Sequence, residues 1–166
     1  MKSKIILFFI IISCQYSFSY DFKEWKIYFF LSPECPLCQS YSLEINNVQN
    51  QYKANGFHFI GVFSTEYSTD SIQLFVKKYN LSLEILMDSS NTIINKYNAT
   101  VTPQVIIVSD KDKIVYSGAI DNWAVSLGVK RTVITKKYLQ ENLNELIHNR
   151  KVKYSNNIPI GCIIQN

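Results

Sequence analysis

Residues 26–38 read Lys-Ile-Tyr-Phe-Phe-Leu-Ser-Pro-Glu-Cys-Pro-Leu-Cys. The run Lys26 to Leu31 is almost continuously apolar and stops at Ser32-Pro33, the pattern of a central strand covered on both faces. Beyond Cys38 the apolar residues Tyr41, Ile45, Val48 and Tyr52 fall at helical spacing, and Asn55-Gly56 ends that helix. Two thiols three residues apart thus sit where a strand hands over to a helix. At a helix start the unpaired N–H groups and the helix dipole favour a thiolate. Thiols in such settings have pKa values of roughly 3.5–7.5, against about 8.5 when free. Cys35 is therefore the candidate nucleophile. Cys38, one turn in, can attack a mixed disulfide on Cys35 and expel its partner, so it is the candidate resolving thiol. Pro36 suits an early helical position, where no N–H is needed.

Outward from this stretch, Phe57 to Phe63 predicts a second buried strand. Ser68-Thr69-Asp70 offers N-cap chemistry to a helix burying Ile72, Phe75, Val76 and Tyr79. Glu84 to Met87 predicts a short strand, and Ser89-Ser90-Asn91 opens a short helix through Ile93, Ile94 and Tyr97. Gln104 to Val108 is an apolar strand, turned by Asp110-Lys111-Asp112 into a hairpin partner at Lys113 to Ser117. A long loop from Gly118 to Val133 follows, which marks it as a candidate functional element. Thr135 then caps a helix with Leu139, Leu143, Leu146 and Ile147 on one face. The order β-α-β-α-β-α-β-β-α implies an α/β domain, a central mixed sheet with helices on both faces.

The chain has 166 residues with 17 Lys and Arg against 13 Asp and Glu, a net charge of +4. Lys2 and Lys4 precede an apolar run, Ile5 to Ile12, with no acid before Asp21, which is the order of a secretory signal over residues 1–19. The run is too short to span a bilayer. Two endings fit. Ser17 and Ser19 suit ordinary cleavage before Tyr20, whereas Ile11-Ile12-Ser13-Cys14 resembles a bacterial lipobox, with Cys14 lipidated and anchoring the product to a membrane. Removal of the two lysines leaves a charge of about +2 and gives no reason to expect nucleic acid as a partner. A hydrophobic content of 47% is enough for one domain over residues 22–150, followed by a tail over 151–166. Of the four cysteines, Cys14 falls in the signal segment. The remaining three are too few for a disulfide-stapled scaffold.

A zinc site would need two ligands beyond Cys35 and Cys38, and only Cys162, His58 and His148 are on offer, none in a second paired motif. Thr102-Pro103 supplies a second signal: a proline opening a buried strand is where a cis peptide is expected. With these residues in place, the chain resembles the thioredoxin fold, an α/β three-layer arrangement. The resemblance implies a Cys35–Cys38 redox disulfide against which a cis Pro103 lies. It also implies that Thr102 offers backbone hydrogen bonds to an extended substrate. Phe59-Ile-Gly-Val-Phe63, Tyr116-Ser-Gly-Ala-Ile-Asp-Asn-Trp123, Gly128-Val-Lys-Arg-Thr132 and Ile160-Gly-Cys-Ile163 are similar to stretches of exported bacterial redoxin-domain proteins. These are related to the alkyl hydroperoxide reductase and thiol-specific antioxidant family.

The departures from that pattern matter as much. Thioredoxin carries Trp before its first Cys, and Glu34 stands here. The buried acid that assists the resolving thiol of thioredoxin would fall near Phe29, which leaves Glu34 as a candidate substitute beside its plainer reading as a solvated loop carboxylate. Peroxiredoxins place a Pro ahead of the hydroxyl residue preceding their reactive Cys. Ser32 matches the hydroxyl, but Tyr28 occupies the Pro position, and only Arg131 or Arg150 could serve as the peroxidatic Arg. Arg131 otherwise reads as a structural residue of the long loop or a carboxylate binder. Cys162 reads as a buried thiol, a third redox thiol or a site of mixed disulfide formation. Asp121-Asn-Trp123 forms either a substrate-facing lip or a packed corner. The expected function is an exported, periplasmic or otherwise extracytoplasmic thiol–disulfide oxidoreductase. It would act on protein thiols and disulfides or a small thiol reductant, without a cofactor or a metal. The alternatives are a thiol peroxidase using Cys35 and a metal or cytochrome-assembly chaperone.

Overall fold

A computed structural model describes residues 24–165. The expected signal segment and Cys14 lie outside the described residues. In chain order the elements are β1 (Trp25–Leu31), α1 (Pro36–Tyr52), β2 (Phe57–Ser64), α2 (Thr69–Lys78), β3 (Glu84–Asp88) and α3 (Thr92–Tyr97). They continue with β4 (Val101–Thr102), β5 (Gln104–Val108), β6 (Ile114–Gly118), β7 (Ala124–Ser126), β8 (Val129–Lys130), α4 (Tyr138–Ile147) and β9 (Cys162–Ile163). The main sheet has five strands in the order β3-β2-β1-β5-β6. Strands β1, β2 and β3 run parallel, whereas β5 is antiparallel to β1 and β6 to β5.

β1 is central and buried from Ile27 to Leu31, so its alternation separates two cores. Ile27, Phe29 and Leu31 pack with Tyr41, Ile45 and Val48 of α1, Ile72 and Phe75 of α2, and Leu139, Leu143 and Leu146 of α4. Tyr28 and Phe30 face the other way, against Ile94 and Tyr97 of α3 and Ile164 of the tail. This is the three-layer mixed sheet with helices on both faces that the residue pattern predicts. The end of α1 also agrees: Gly56 takes a left-handed φ of 79°, which a residue without Cβ adopts freely.

Two local expectations are corrected. The stretch Gly118 to Val133 is not a bare loop, because β7 and β8 pair within it as a small hairpin. Thr135 does not cap α4: Lys137 holds the N-cap position without a side-chain cap. The Thr135 hydroxyl instead accepts from Asn122 Nδ2 at 2.8 Å, and Asn122 Oδ1 accepts from the N–H groups of Thr135 and Lys136. By contrast α3 does open at Ser89-Ser90-Asn91, with Asn91 at the N-cap position, although the side chain that serves its first N–H groups is the preceding Asp88. Asp88 Oδ2 accepts from the N–H groups of both Ile93 and Ile94 at 2.8 Å, a charge-assisted use of the helix start.

The tail beyond α4 is built into the fold. Asn142 exchanges two hydrogen bonds with the Tyr154 backbone, and Ser117 bridges Asn156 in parallel. Asn157 Oδ1 accepts from Ala119 N at 2.7 Å, while its Nδ2 donates to the Tyr116 hydroxyl. β9 then pairs antiparallel with β4.

The Asp88 cap gives a stability prediction. Asp88→Ala leaves two buried helix N–H groups without an acceptor and should cost about 1–3 kcal/mol. The expected readout is a lower urea midpoint at an unchanged m value; an unchanged midpoint would contradict this account of the cap.

Candidate active site

The site lies at the carboxyl ends of β1 and β2, where the chain leaves the sheet for α1. Between Leu31 and α1, Cys35 N–H donates to the Ser32 carbonyl at 3.3 Å, and Glu34 N–H donates to Ser32 Oγ at 3.2 Å. Cys35 is the N-cap residue of α1 and Pro36 follows at the first helical position. No acidic residue stands in the first turn, so nothing there neutralises the positive end of the helix.

Both thiols are enclosed, Cys35 at 1% exposure and Cys38 at 0%. They are free thiols in this structure. The Cys38 thiol, acting as a donor to Cys35, is the main cause that pulls Cys35 down to about 4; burial opposes it, and Cys162 adds donors from its thiol and backbone N–H. Cys38 moves the other way, held well above the usual thiol range chiefly by burial and further by its donation to Cys35. The Ser32 N–H donates to Cys38 Sγ at 3.4 Å. The pair is thus divided between a stabilised thiolate and a proton-holding thiol, the division that stepwise exchange requires.

The antiparallel register of β5 brings the opposite wall. Phe30 faces Gln104, which sets Pro103 and Thr102 alongside the strand-to-helix turn. The Thr102–Pro103 peptide is cis. The Thr102 carbonyl accepts the S–H of protonated Cys35 at 3.0 Å. Cys162 stands directly opposite Thr102 in the β4–β9 ladder. Gly161 comes so close that a Cβ there would sit 2.3 Å from the Thr102 carbonyl oxygen, so only glycine permits the approach. The structure therefore brings together Cys35, Cys38, Thr102, Pro103 and Cys162.

Glu34 and Arg131 stay apart from the thiols. Glu34 is exposed. Arg131 is exposed on the β7–β8 hairpin, where its Nε donates to the Asn122 carbonyl at 3.0 Å. It lines, with Pro103, Asp121 and Asn157, a cleft of about 300 Å³ beside the cis peptide. The Ser32 hydroxyl donates to the Tyr67 hydroxyl at 2.8 Å rather than turning to Cys35. His58 and His148 are both exposed. Among the described residues no three His, Cys, Asp or Glu side chains converge as a metal cluster.

The Asp121-Asn-Trp123 stretch is a packed corner rather than a lip. Asp121 is buried and accepts from the Tyr41 hydroxyl at 2.6 Å and from Trp123 N–H at 2.8 Å. Trp123 meets the Tyr41 ring edge-on at 5.2 Å. This ties the loop to the second turn of α1, below the thiols. The pairing of Tyr41 with a residue 80 positions away had no signal in the local pattern.

Comparison with known proteins agrees with this geometry. The family model described as Redoxin matches residues 13–125. The chain belongs to the redoxin family. Among curated proteins, the thiol-disulfide oxidoreductase ResA of Halalkalibacterium halodurans is 28% identical over 81 residues, 49% of this chain and 46% of that protein. The chain thus matches less than half the length of that relative. Among solved structures, an uncharacterized conserved protein from Geobacillus kaustophilus superposes with a TM-score of 0.74 at 21% identity, covering 86% of this chain and 77% of that one. The thioredoxin domain of a thiol-disulfide oxidoreductase from Bacteroides vulgatus gives 0.51 at 18% identity, over 57% and 69%. These likenesses establish the thioredoxin-like fold of this redoxin.

The electrostatics predict a pH profile. Alkylation of Cys35 by iodoacetamide in the reduced protein should be flat across neutral pH and fall only as acid protonates the thiolate near about 4. A free thiol would instead lose rate about tenfold per unit below about 8.5. Cys38→Ala removes the leading donor and should raise the midpoint. Glu34→Gln should leave it in place. A midpoint near that of a free thiol in the parent protein would contradict the assignment.

Proposed function

We propose that this redoxin is a thiol–disulfide oxidoreductase in which Cys35 is the nucleophile and Cys38 the resolving thiol. The observation that carries the reading is the placing of two thiols one helical turn apart at the start of α1, with Cys35 Sγ 3.0 Å from the Thr102 carbonyl beside the cis Pro103; the lowering of Cys35 and the raising of Cys38 support it. Cys35 thiolate attacks one sulfur of a substrate disulfide, and the other substrate sulfur leaves as a thiolate. Cys38 then gives up its proton and attacks Cys35 Sγ, forming Cys35–Cys38 and releasing the second substrate thiol. The reverse sequence oxidises a substrate dithiol. Thr102, beside the cis Pro103, stands where the resemblance puts the substrate-facing backbone edge, and here that edge is paired with β9. The partial relative named a thiol-disulfide oxidoreductase supports the same chemistry.

Peroxide reduction would call for a hydroxyl and a guanidinium turned to the reactive sulfur. Here Ser32 donates to Tyr67 and Arg131 to the Asn122 carbonyl. For the chaperone reading, no three His, Cys, Asp or Glu side chains among the described residues, Cys162 included, converge as a held metal needs. We read the protein as exported, on the charge order of Lys2, Lys4 and Ile5 to Ile12.

Two measurements test this. In an insulin disulfide-reduction assay, Cys35→Ser should fall to background. The double variant Cys38→Ser/Cys162→Ser, which keeps Cys35 alone at the site, should accumulate a covalent mixed disulfide with its substrate. Sustained peroxide turnover by Cys38→Ser with a small thiol would instead favour the peroxidase. For export, the mass of the mature N-terminus should begin at Tyr20, while a diacylated Cys14 would show the lipoprotein route.

A further inference from the structure

Cys162 is the third thiol at this site, and its position is set by backbone rather than by chance packing. The β4–β9 ladder pairs it with Thr102, the residue whose carbonyl lies 3.0 Å from Cys35 Sγ. The strand is held at both ends. Ile164 is buried in the second core and its N–H donates to the Thr100 carbonyl at 3.0 Å. Asn157 locks the other end onto Tyr116 and Ala119. Between these anchors, Gly161 permits the close approach to Thr102. The tail therefore occupies the backbone edge of the cis-proline loop, as an added strand would, and it brings a cysteine with it.

We infer that Cys162 is a third exchange thiol, which attacks a mixed disulfide on Cys35 and forms an internal Cys35–Cys162 disulfide that Cys38 then converts to Cys35–Cys38. This rests on the oxidoreductase reading above. The steps balance without a further oxidant. Cys35–S–S–R and the Cys162 thiol give Cys35–S–S–Cys162 and the thiol RSH. The Cys38 thiol then attacks Cys35 Sγ, giving Cys35–S–S–Cys38 and restoring the Cys162 thiol. The only electrons moved are those the substrate disulfide accepts.

Two features favour Cys162 as the first thiol to respond. It is only partly buried, whereas Cys38 is fully enclosed. It also stands opposite Thr102, whose carbonyl lies 3.0 Å from Cys35 Sγ. Burial and the neighbouring thiolate push Cys162 up to about 12. The part due to the thiolate is lost once Cys35 is tied up as an uncharged mixed disulfide, while burial, the larger cause, stays.

The test uses the full chain as Cys38→Ser and as Cys38→Ser/Cys162→Ser, each reduced and then given oxidised glutathione. A tethered thiol acts at an effective concentration of about millimolar. The glutathione adduct on Cys35 should therefore decay at least about tenfold faster in the single variant than in the double one. Trypsin cuts after Lys26, Lys53 and Lys153, so a Cys35–Cys162 bridge joins peptide 27–53 to the peptide beginning at Tyr154. Cys14 falls in a separate peptide, between Lys4 and Lys23. In the unaltered protein, acid quenching followed by thiol blocking should catch the same bridge at early times, before the disulfide within peptide 27–53 replaces it. That measurement needs no variant to fold. Equal adduct lifetimes in the two variants with no bridged peptide, while the unaltered protein still forms Cys35–Cys38, would overturn the role of Cys162 alone. Failure of the unaltered protein to form Cys35–Cys38 at all would overturn the oxidoreductase reading and this inference with it.

Discussion

The contact of Cys35 Sγ with the Thr102 carbonyl joins two walls that come from strands of opposite direction. It depends on the register in which Phe30 faces Gln104. A slip of one residue would swap the faces of all five β5 residues and carry the buried Gln104 away from Thr100 N–H and the Ser117 hydroxyl that satisfy it. From that constraint the cis Thr102–Pro103 peptide falls beside the start of α1. The same carbonyl also explains Gly161, since the tail reaches it only with a residue lacking Cβ.

The charge arrangement follows from where each thiol sits relative to water and to donors. Cys35 is held by S–H and N–H groups and stands at an uncompensated helix start. Cys38, one turn deeper, is wholly enclosed, and the groups acting on it include no carboxylate. Phe29 fills the core at the position where thioredoxin keeps its buried acid, and Glu34 is exposed. The Asp121–Tyr41 bond supplies a buried acid farther along α1, used for packing the corner that carries Trp123.

Much of this was readable in the chain. The apolar run of β1, the two-cysteine spacing and the Thr-Pro before β5 each leave a local trace, because strand burial, helix entry and turn geometry act on neighbouring residues. The sheet and the positions of Cys35 and Cys38 could be anticipated from them. What escaped is nonlocal. Nothing around Cys162 shows that it pairs with Thr102, and nothing around Asp121 shows that Tyr41 is its partner. The start of α4 escaped for a smaller reason: Thr135 has capping chemistry, but its hydroxyl is taken by Asn122, and the helix begins two residues later at the Lys137 N-cap.

The β4–β9 ladder has a consequence for the history of each molecule. It joins residues about sixty positions apart, whereas Cys35 and Cys38 share one helical turn. Contacts of such long sequence separation close late, because the chain entropy must be surrendered before the contact rewards it. During that interval the two neighbouring thiols are already in existence but lack the donors and the enclosing strand that distinguish them. They behave as ordinary exposed thiols of similar acidity. The nascent chain is therefore most vulnerable to mispaired disulfides before its last strand docks, and docking adds the Cys162 donors to an asymmetry that the Cys38 thiol and burial begin.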